Sequence, residues 1–163
     1  MSELLKRKNV LRVQNFLNKF DEKIKLIVLD NSAKTANDAA NSLKKAVGSI
    51  VKSLLFKNYY NNNEYYLCLI SGDKFLSINK LSQIIGEKTI KANAEECKKN
   101  TGFSIGGISP VAHINNPKFI FIDESLNRFN TVYAAAGHHH VVFGIKYTDL
   151  IKLSEGSVVD ISE

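Results

Sequence analysis

The sequence predicts an α+β fold in which a mixed, barrel-like β-sheet is flanked by helices. Segments with helical and strand patterns follow one another without the regular βαβα order of a parallel α/β fold. Two β-rich segments, Ile50 to Phe56 and Tyr65 to Ile70, flank an Asn- and Tyr-rich turn and should form an antiparallel pair. The chain has 163 residues, 44% of them hydrophobic, which suits a single domain spanning 1–163.

The N-terminal part predicts two helices and a strand. Residues 1–20 form an amphipathic helix, because apolar residues recur at helical spacing: Leu4, Leu5, Val10, Val13, Phe16, Leu17 and Phe20. Lys25 to Leu29 reads as a short strand. Thr35 and Asp38 match a helix-capping pattern, and the helix that they begin should run to Val47 and end at Gly48.

The rest of the chain predicts short elements separated by polar or glycine-rich turns. Ile78 to Ile85 should be a helix that Gly86 ends, and Asn93 with Glu96 should cap a second helix that ends before Gly102. Gly102 to Pro110 is a loop. The remaining predicted elements are strands at Thr89–Ala92, Phe119–Ile122, Thr131–Ala135, Val141–Ile145 and Val158–Ile161, and a helix at Thr148–Leu153.

Charge and composition limit the functional classes. The net charge is +6 and the pI about 9.2, which favours a polyanionic partner such as nucleic acid. Cys68 lies in an apolar run and Cys97 in a polar one, which is unlike a disulfide framework or a metal pair and indicates a reducing cytoplasm. Neither a signal peptide nor an apolar run of the roughly 20 residues that span a bilayer is evident, so no membrane association is predicted.

Two features could carry chemistry, and each has a plain structural alternative. Lys52 stands between apolar neighbours in a predicted strand, where burying an ammonium is costly, but such a lysine is more often simply on the solvent face. In Gly106-Gly107-Ile108-Ser109-Pro110, two glycines allow close approach of backbone N–H groups to a ligand. The same pattern also fits an ordinary tight turn.

Histidines and basic residues provide two further candidates. His138, His139 and His140 could bind a metal with His113, but no carboxylate or cysteine lies at metal-site spacing, so exposed loop residues are the favoured interpretation. A basic, aromatic-bearing surface could follow a nucleic-acid backbone, or could be a solvated face. Its members are Lys6, Arg7, Lys8, Arg12, Lys44, Lys45, Lys57, Tyr59 and Tyr60.

The order and spacing of six motifs are more specific than any one of them. They are Thr35 before an Ala-rich helix, Val51-Lys52-Ser53-Leu54, Ser71-Gly72-Asp73-Lys74, Thr101-Gly102-Phe103 leading to Gly106-Gly107-Ile108-Ser109-Pro110, Ile122-Asp123-Glu124-Ser125-Leu126, and Ala135-Ala136-Gly137-His138. From about Lys34 to Ile161 the chain resembles the YbaK/ProX family of aminoacyl-tRNA deacylases, also called prolyl-tRNA editing proteins. Two positions depart from the family's usual pattern, His139 in place of a common proline and Ala112 before His113 in place of glycine.

The resemblance implies a free-standing hydrolase that acts in trans on the aminoacylated 3′ end of a tRNA and so supports translation fidelity. It implies no cofactor, no metal and no covalent enzyme intermediate, with prolyl-tRNA synthetase as a possible partner. By resemblance, Lys52 is the key lysine, Gly106 and Pro110 belong to the Gly-x-x-x-Pro loop, and His138 is the histidine of the Ala-Gly-His motif. Ser53 falls where relatives vary the pocket.

The chemistry of ester hydrolysis suits these residues. Backbone N–H groups around Gly106 and Gly107 could bind the developing oxyanion, while Lys52 holds a phosphate or the terminal adenosine. The neighbours expected to shape the substrate pocket are Ser53, Ile108, Ser109, Pro110, Gly137 and His138.

The substrate is expected to be Ala-tRNA(Pro) or Cys-tRNA(Pro), since a synthetase poorly rejects an amino acid smaller than its own. A wall formed by His138 would favour alanine. Two alternatives stay open from the sequence: a non-enzymatic module that binds tRNA or a synthetase, and a histidine-metal hydrolase.

Overall fold

The structure, a computed structural model, describes residues 3–163. Its helices are α1 (Lys8–Phe20), α2 (Ala36–Leu43), α3 (Ile78–Ile85), α4 (Ala94–Thr101) and α5 (Tyr147–Ser154), with 3-10 turns at Glu3–Lys6, Val47–Ser49 and Glu124–Arg128. Its strands are β1 (Leu26–Val28), β2 (Val51–Asn58), β3 (Tyr65–Ser71), β4 (Thr89–Lys91), β5 (Phe119–Asp123), β6 (Thr131–His138), β7 (Val141–Lys146) and β8 (Ser157–Val159).

The strands form two sheets. The larger one has the order β4-β2-β3-β5-β8, with β2 antiparallel to β3 and β4, and with β3, β5 and β8 parallel. The smaller one has the antiparallel order β1-β7-β6. An isolated bridge between Ile50 and Tyr133 joins them. The mixed α+β prediction is therefore confirmed, but within residues 3–163 the sheets do not close into a barrel.

The main core fills the space between the two sheets and α1. Val10, Val13 and Leu17, spaced along one face of α1, are fully buried, and α1 packs against β6. This amphipathic helix was predicted from residue 1. In the structure a 3-10 turn precedes it, and residues 1 and 2 lie outside the described part of the chain.

Elements whose signals are local agree with the predictions. Gly86 ends α3 with a φ of +85°, a left-handed conformation that glycine adopts without strain. Asn93 and Glu96 form a complete capping box at the start of α4. The antiparallel pairing of β2 with β3 is also confirmed.

Several predicted boundaries are wrong, and three of them have a clear structural cause. Helix α2 ends at Leu43 rather than Val47, because Lys44 turns the chain with a φ of +57° and the next residues form a separate 3-10 turn. Strand β2 continues past Phe56 to Asn58, since its end pairs with β4. Strand β6 continues past Ala135 to His138. The register shifts between Ala135 and His138, and beyond that shift His138 still pairs with β7.

Both cysteines are buried and unpaired. Burial raises the pKa of the Cys68 and Cys97 thiols, so each behaves as a small apolar residue. None of the helices within residues 3–163 is long and apolar enough to cross a membrane.

Candidate functional site

A cavity of about 400 Å³ lies where the two sheets meet. Its floor comes from β2 and from the middle of β6, and its rim comes from three loops that reach it from distant parts of the chain. Residues of the rim lie within the segments 33–37, 72–75 and 105–108. Lys52, Ser53 and Leu54 of β2 line the floor, and glycines let the rim approach closely.

Lys52 is half-buried at this cavity. Its ammonium donates a hydrogen bond to the backbone carbonyl of Lys74 and lies 4.9 Å from the centre of the Phe75 ring. Burial lowers the pKa of Lys52, and the nearby carboxylate of Asp73 opposes that shift. Phe75 is 73% exposed and lines the same cavity, so its ring is available to a ligand at the mouth.

An ion pair fixes the turn that holds the Lys52 ammonium. Arg128 donates to both carboxylate oxygens of Asp73, at 3.0 and 2.6 Å, and to the Ser71 hydroxyl at 2.8 Å. A two-point bond of this kind defines orientation as well as distance. Asp73 stands in one of the motifs that carried the family resemblance, but no role was predicted for Asp73, Phe75 or Arg128.

Ser53 presents an unused hydroxyl. Its Oγ atom is buried and has no hydrogen-bond partner within the described chain. Ser53 lines the cavity beside Lys52. A buried hydroxyl without a partner is costly, which sets Ser53 apart from the satisfied polar groups around it.

The glycine-rich loop contributes backbone groups rather than side chains. Ser104 to Gly107 form a turn in which the Gly107 N–H donates to the Ser104 carbonyl at 2.9 Å, and Gly106 occupies the turn with a φ of +92°. The Gly107 N–H is therefore already used. The N–H groups of Gly106 and Ile108, which both line the cavity, donate to no acceptor within residues 3–163.

The Ala-Gly-His motif lies behind this loop. A Cβ atom on Gly107 would come within 3.1 Å of the His138 backbone, so the glycine permits the close packing of loop and strand. Gly137 has a φ of +91°, and a Cβ there would lie 3.0 Å from the backbone of Asn9. Gly137 and His138 line a neighbouring pocket, not the Lys52 cavity.

The rings of the three consecutive histidines lie close together, with His138 and His139 stacked and His140 tilted against both. Ring centres of His138 and His139 are 4.4 Å apart, and those of His139 and His140 are 4.9 Å apart. The His140 N–H donates to Nδ1 of His138, which makes His138 a neutral ring with its proton on Nε2. Burial, followed by the positive charges around it, lowers the pKa of His138.

Ser109, Pro110 and His113 lie away from the Lys52 cavity. The Ser109 hydroxyl accepts a hydrogen bond from the Val111 N–H, and its carbonyl lies 2.7 Å from Nε2 of His113. Pro110 and His113 line a different cavity. His113 also packs against Phe103. Residues 3–163 contain no group of three or more potential metal ligands of the His, Cys, Asp or Glu type.

Fold and site together define a small α+β domain with a lysine at the base of a cavity between two sheets. The chain belongs to the aminoacyl-tRNA editing domain family, whose model matches residues 30–153. This confirms the predicted family. The match covers the 104–108 loop and every residue named above as lining the Lys52 cavity.

Relatives and solved structures agree with this assignment. The chain is 28% identical over 129 residues to the uncharacterized protein YwhH of Bacillus subtilis (strain 168), covering 79% of this chain and 80% of that protein. It is 30% identical over 123 residues to the proline–tRNA ligase of Kosmotoga olearia, covering 74% of this chain.

The chain spans 21% of the length of that ligase, so it resembles one part of a larger enzyme. A crystal structure described as a putative trans-editing enzyme for prolyl tRNA synthetase superposes with a TM-score of 0.88 at 34% identity, over 96% of this chain and 98% of the other.

Proposed function

We propose that this protein hydrolyses the ester bond of mischarged aminoacyl-tRNA, with Ala-tRNA(Pro) or Cys-tRNA(Pro) as substrate. The observation that carries the proposal is the cavity itself, which combines the Lys52 ammonium with the unused N–H groups of Gly106 and Ile108. A cation beside free backbone donors suits an ester whose carbonyl oxygen becomes negative during attack. Family membership supports the same reaction class.

In the proposed reaction a water molecule adds to the ester carbonyl carbon. The carbonyl oxygen takes the negative charge and is stabilised by the N–H groups of Gly106 and Ile108. The bond from the carbonyl carbon to the ribose oxygen then breaks, and that oxygen takes up a proton from the attacking water, directly or through the neighbouring ribose hydroxyl. The products are the free amino acid and a tRNA with an intact 3′ end.

Lys52 and Phe75 are the proposed contacts of the terminal adenosine. The ammonium, held by the Lys74 carbonyl, can face the nearest phosphate, and the exposed Phe75 ring can stack on the base. The Arg128–Asp73 pair acts through the turn and is a positioning element rather than a group that touches substrate.

The cavity supports a small amino acid. Small side chains, Ala33, Ala36 and Ala135, form part of its wall, and Ser53 lies beside them. A pocket of this type discriminates by size, and one methylene changes binding by about 1–3 kcal/mol. Ser109 and Pro110, predicted as substrate contacts, support the loop from behind in this proposal. His138 borders the adjoining pocket instead.

The direct test is a panel of alanyl-, cysteinyl-, seryl- and prolyl-tRNA. The protein should release amino acid from alanyl- or cysteinyl-tRNA at least 100-fold faster than buffer, and act least on prolyl-tRNA. If the protein binds tRNA but every ester hydrolyses no faster than in buffer, the protein is a non-enzymatic binding module and not an enzyme. Abolition of hydrolysis by exhaustive chelation would instead favour the histidine-metal alternative.

A further inference from the structure

A second pocket adjoins the Lys52 cavity. It has a volume of about 710 Å³ and brings together the start of α1, the end of β6 and the 104–107 loop. Its charged side chains are Arg7, Lys8 and Lys34, all exposed, and His138 and His139 complete the polar wall. No aspartate or glutamate lines it. This volume lies within the roughly 300–1,000 Å³ range of ligand sites.

The charged side chains that line this pocket are all basic. The charged groups that lower the pKa of His139 beyond the effect of burial are His140, Lys34 and Arg7, all basic, and no carboxylate opposes them. The first turn of α1 has no acidic residue and no side-chain cap, although acidic residues usually stabilise that end of a helix. A region that concentrates uncompensated positive charge attracts an anion.

The pocket and the Lys52 cavity share two residues. Lys34 and Ile105 line both, and the turn Ser104–Gly107 forms the partition, with Gly106 on one side and Gly107 on the other. Ile105 is 57% exposed at the top of this partition. A chain that ends in the Lys52 cavity could therefore continue across Ile105 into the basic pocket.

We propose that the basic pocket binds the phosphodiester groups of the single-stranded RNA immediately before the 3′-terminal adenosine. This inference rests on the proposed function, because it takes the terminal nucleotide to occupy the Lys52 cavity. The side chains at the start of α1, Arg7 and Lys8, contact these phosphates, and Lys34 bridges the two sites. The pocket thus supplies sequence-independent affinity for the strand, while the cavity reads the amino acid.

A single strand suits the pocket better than a duplex does. The pocket adjoins the smaller Lys52 cavity, and its basic side chains come from two separate segments of the chain that line one space. The exposed Ile105 and the stacked imidazoles of His138 and His139 offer flat or apolar surfaces to unstacked bases.

The test measures binding of two fluorescein-labelled RNA minihelices that carry no amino acid. One ends in single-stranded ACCA and the other ends blunt. The double variant Arg7→Ser/Lys8→Ser should bind the ACCA minihelix about tenfold more weakly, and its log Kd should depend less steeply on log salt by about 0.7 for each lost phosphate contact. The control, Lys98→Ser/Lys99→Ser, removes the same charge from an exposed stretch of α4 outside both cavities.

The outcomes separate the pocket from general charge and from the enzyme reaction. An equal loss of affinity in the Lys98/Lys99 control, an equal loss on the blunt minihelix, or no loss at all would overturn the proposal. Hydrolysis of the alanyl ester of adenosine, which has no phosphate, should be the same in wild type and the Arg7/Lys8 variant. If the wild-type protein hydrolyses neither alanyl-tRNA nor cysteinyl-tRNA, the proposed function fails, whereas the binding measurement still tests the pocket.

Discussion

Two polar clusters on the larger sheet differ in how completely their hydrogen bonds are satisfied. One surrounds Asp123 at the end of β5, and the other surrounds Lys52 on β2. Both place a charged side chain among apolar strands, which is costly unless the charge finds partners. The comparison between them separates a polar group that holds the fold from one that is ready for a ligand.

The Asp123 cluster is closed. This fully buried carboxylate accepts hydrogen bonds from the Ile161 N–H at 2.8 Å, from the Ser162 hydroxyl at 2.9 Å, and from both the N–H and hydroxyl of Ser125. Burial raises the pKa of Asp123, but the hydrogen bonds outweigh it and leave the pKa below its ordinary value. The cluster ties the C-terminal segment to β5.

The Lys52 cluster is open. The ammonium has one carbonyl partner, the Ser53 hydroxyl has none, and two backbone N–H groups of the facing loop are unused within the described chain. Burial lowers the pKa of Lys52, whereas the cluster around Asp123 stabilises its charge. Similar strands therefore support opposite arrangements, and the incomplete one is where a substrate supplies the missing partners.

The largest expected effect is on activity. Lys52→Ala should lower kcat/KM for alanyl-tRNA by about 100-fold or more, because it removes the charge that holds the substrate's end beside the backbone donors. The melting temperature of this variant should stay close to that of wild type, because partial burial of the Lys52 ammonium is itself unfavourable and its removal costs little stability. Lys146→Ala, which removes an exposed lysine from β7, is the control and should leave both values unchanged. Equal activity in Lys52→Ala would remove Lys52 from the site.

The closed cluster should respond in stability. Asp123→Asn should lower the free energy of unfolding by about 3 kcal/mol at pH 7, because hydrogen bonds to a charged group are lost or weakened. Urea denaturation measures this difference, and deacylation per folded molecule should be retained.

The pH dependence of that difference has a defined sign. The pKa of Asp123 is lowered in the folded protein, so its contribution is fully present above the ordinary aspartate pKa and is lost as pH falls through the folded value. The gap between wild type and Asp123→Asn should therefore shrink under acid conditions. A gap that stays constant from pH 7 to pH 3 would contradict this account of the cluster.

The smallest expected effect compares two serines. Ser53→Ala removes a hydroxyl without a partner and should leave the free energy of unfolding unchanged or raise it by less than about 1 kcal/mol. Ser125→Ala removes a bonded hydroxyl and should lower it by about 1–2 kcal/mol. Both variants are measured by urea denaturation under one condition. If Ser53→Ala lowers the free energy of unfolding and Ser125→Ala leaves it unchanged, the assignment of the Lys52 cluster as open and the Asp123 cluster as closed is wrong.

The fold was most predictable where the deciding partners are close in the chain. Gly86 and the pair Asn93 and Glu96 satisfy backbone groups within their own helices, so short patterns located α3 and α4. The end of α2 was missed because a non-glycine residue, Lys44, takes the left-handed conformation that usually marks a glycine. Strand β6 was predicted too short because its last residues are held by pairing with β7 across a bulge.

The site was predictable in part. The motifs identified Lys52, Ser53 and Gly106, which meet at one cavity. Phe75, Asp73 and Arg128 had no assigned role, because their relation to Lys52 depends on contacts between residues far apart, such as the bond from Arg128 to Asp73 across 55 positions. The use of the Gly107 N–H within its own turn was likewise invisible until the conformation of the loop was known.

The sequence by itself determined the family, the α+β class and the residues able to form a cavity, since these depend on local patterning and on the order of motifs. The tertiary structure alone decided that the sheets stay separate, which polar groups are satisfied and which are left open. It also placed the start of α1, the end of β6 and the 104–107 loop around a basic pocket. The physical reason is that a polar group's free energy depends on partners brought from anywhere in the chain.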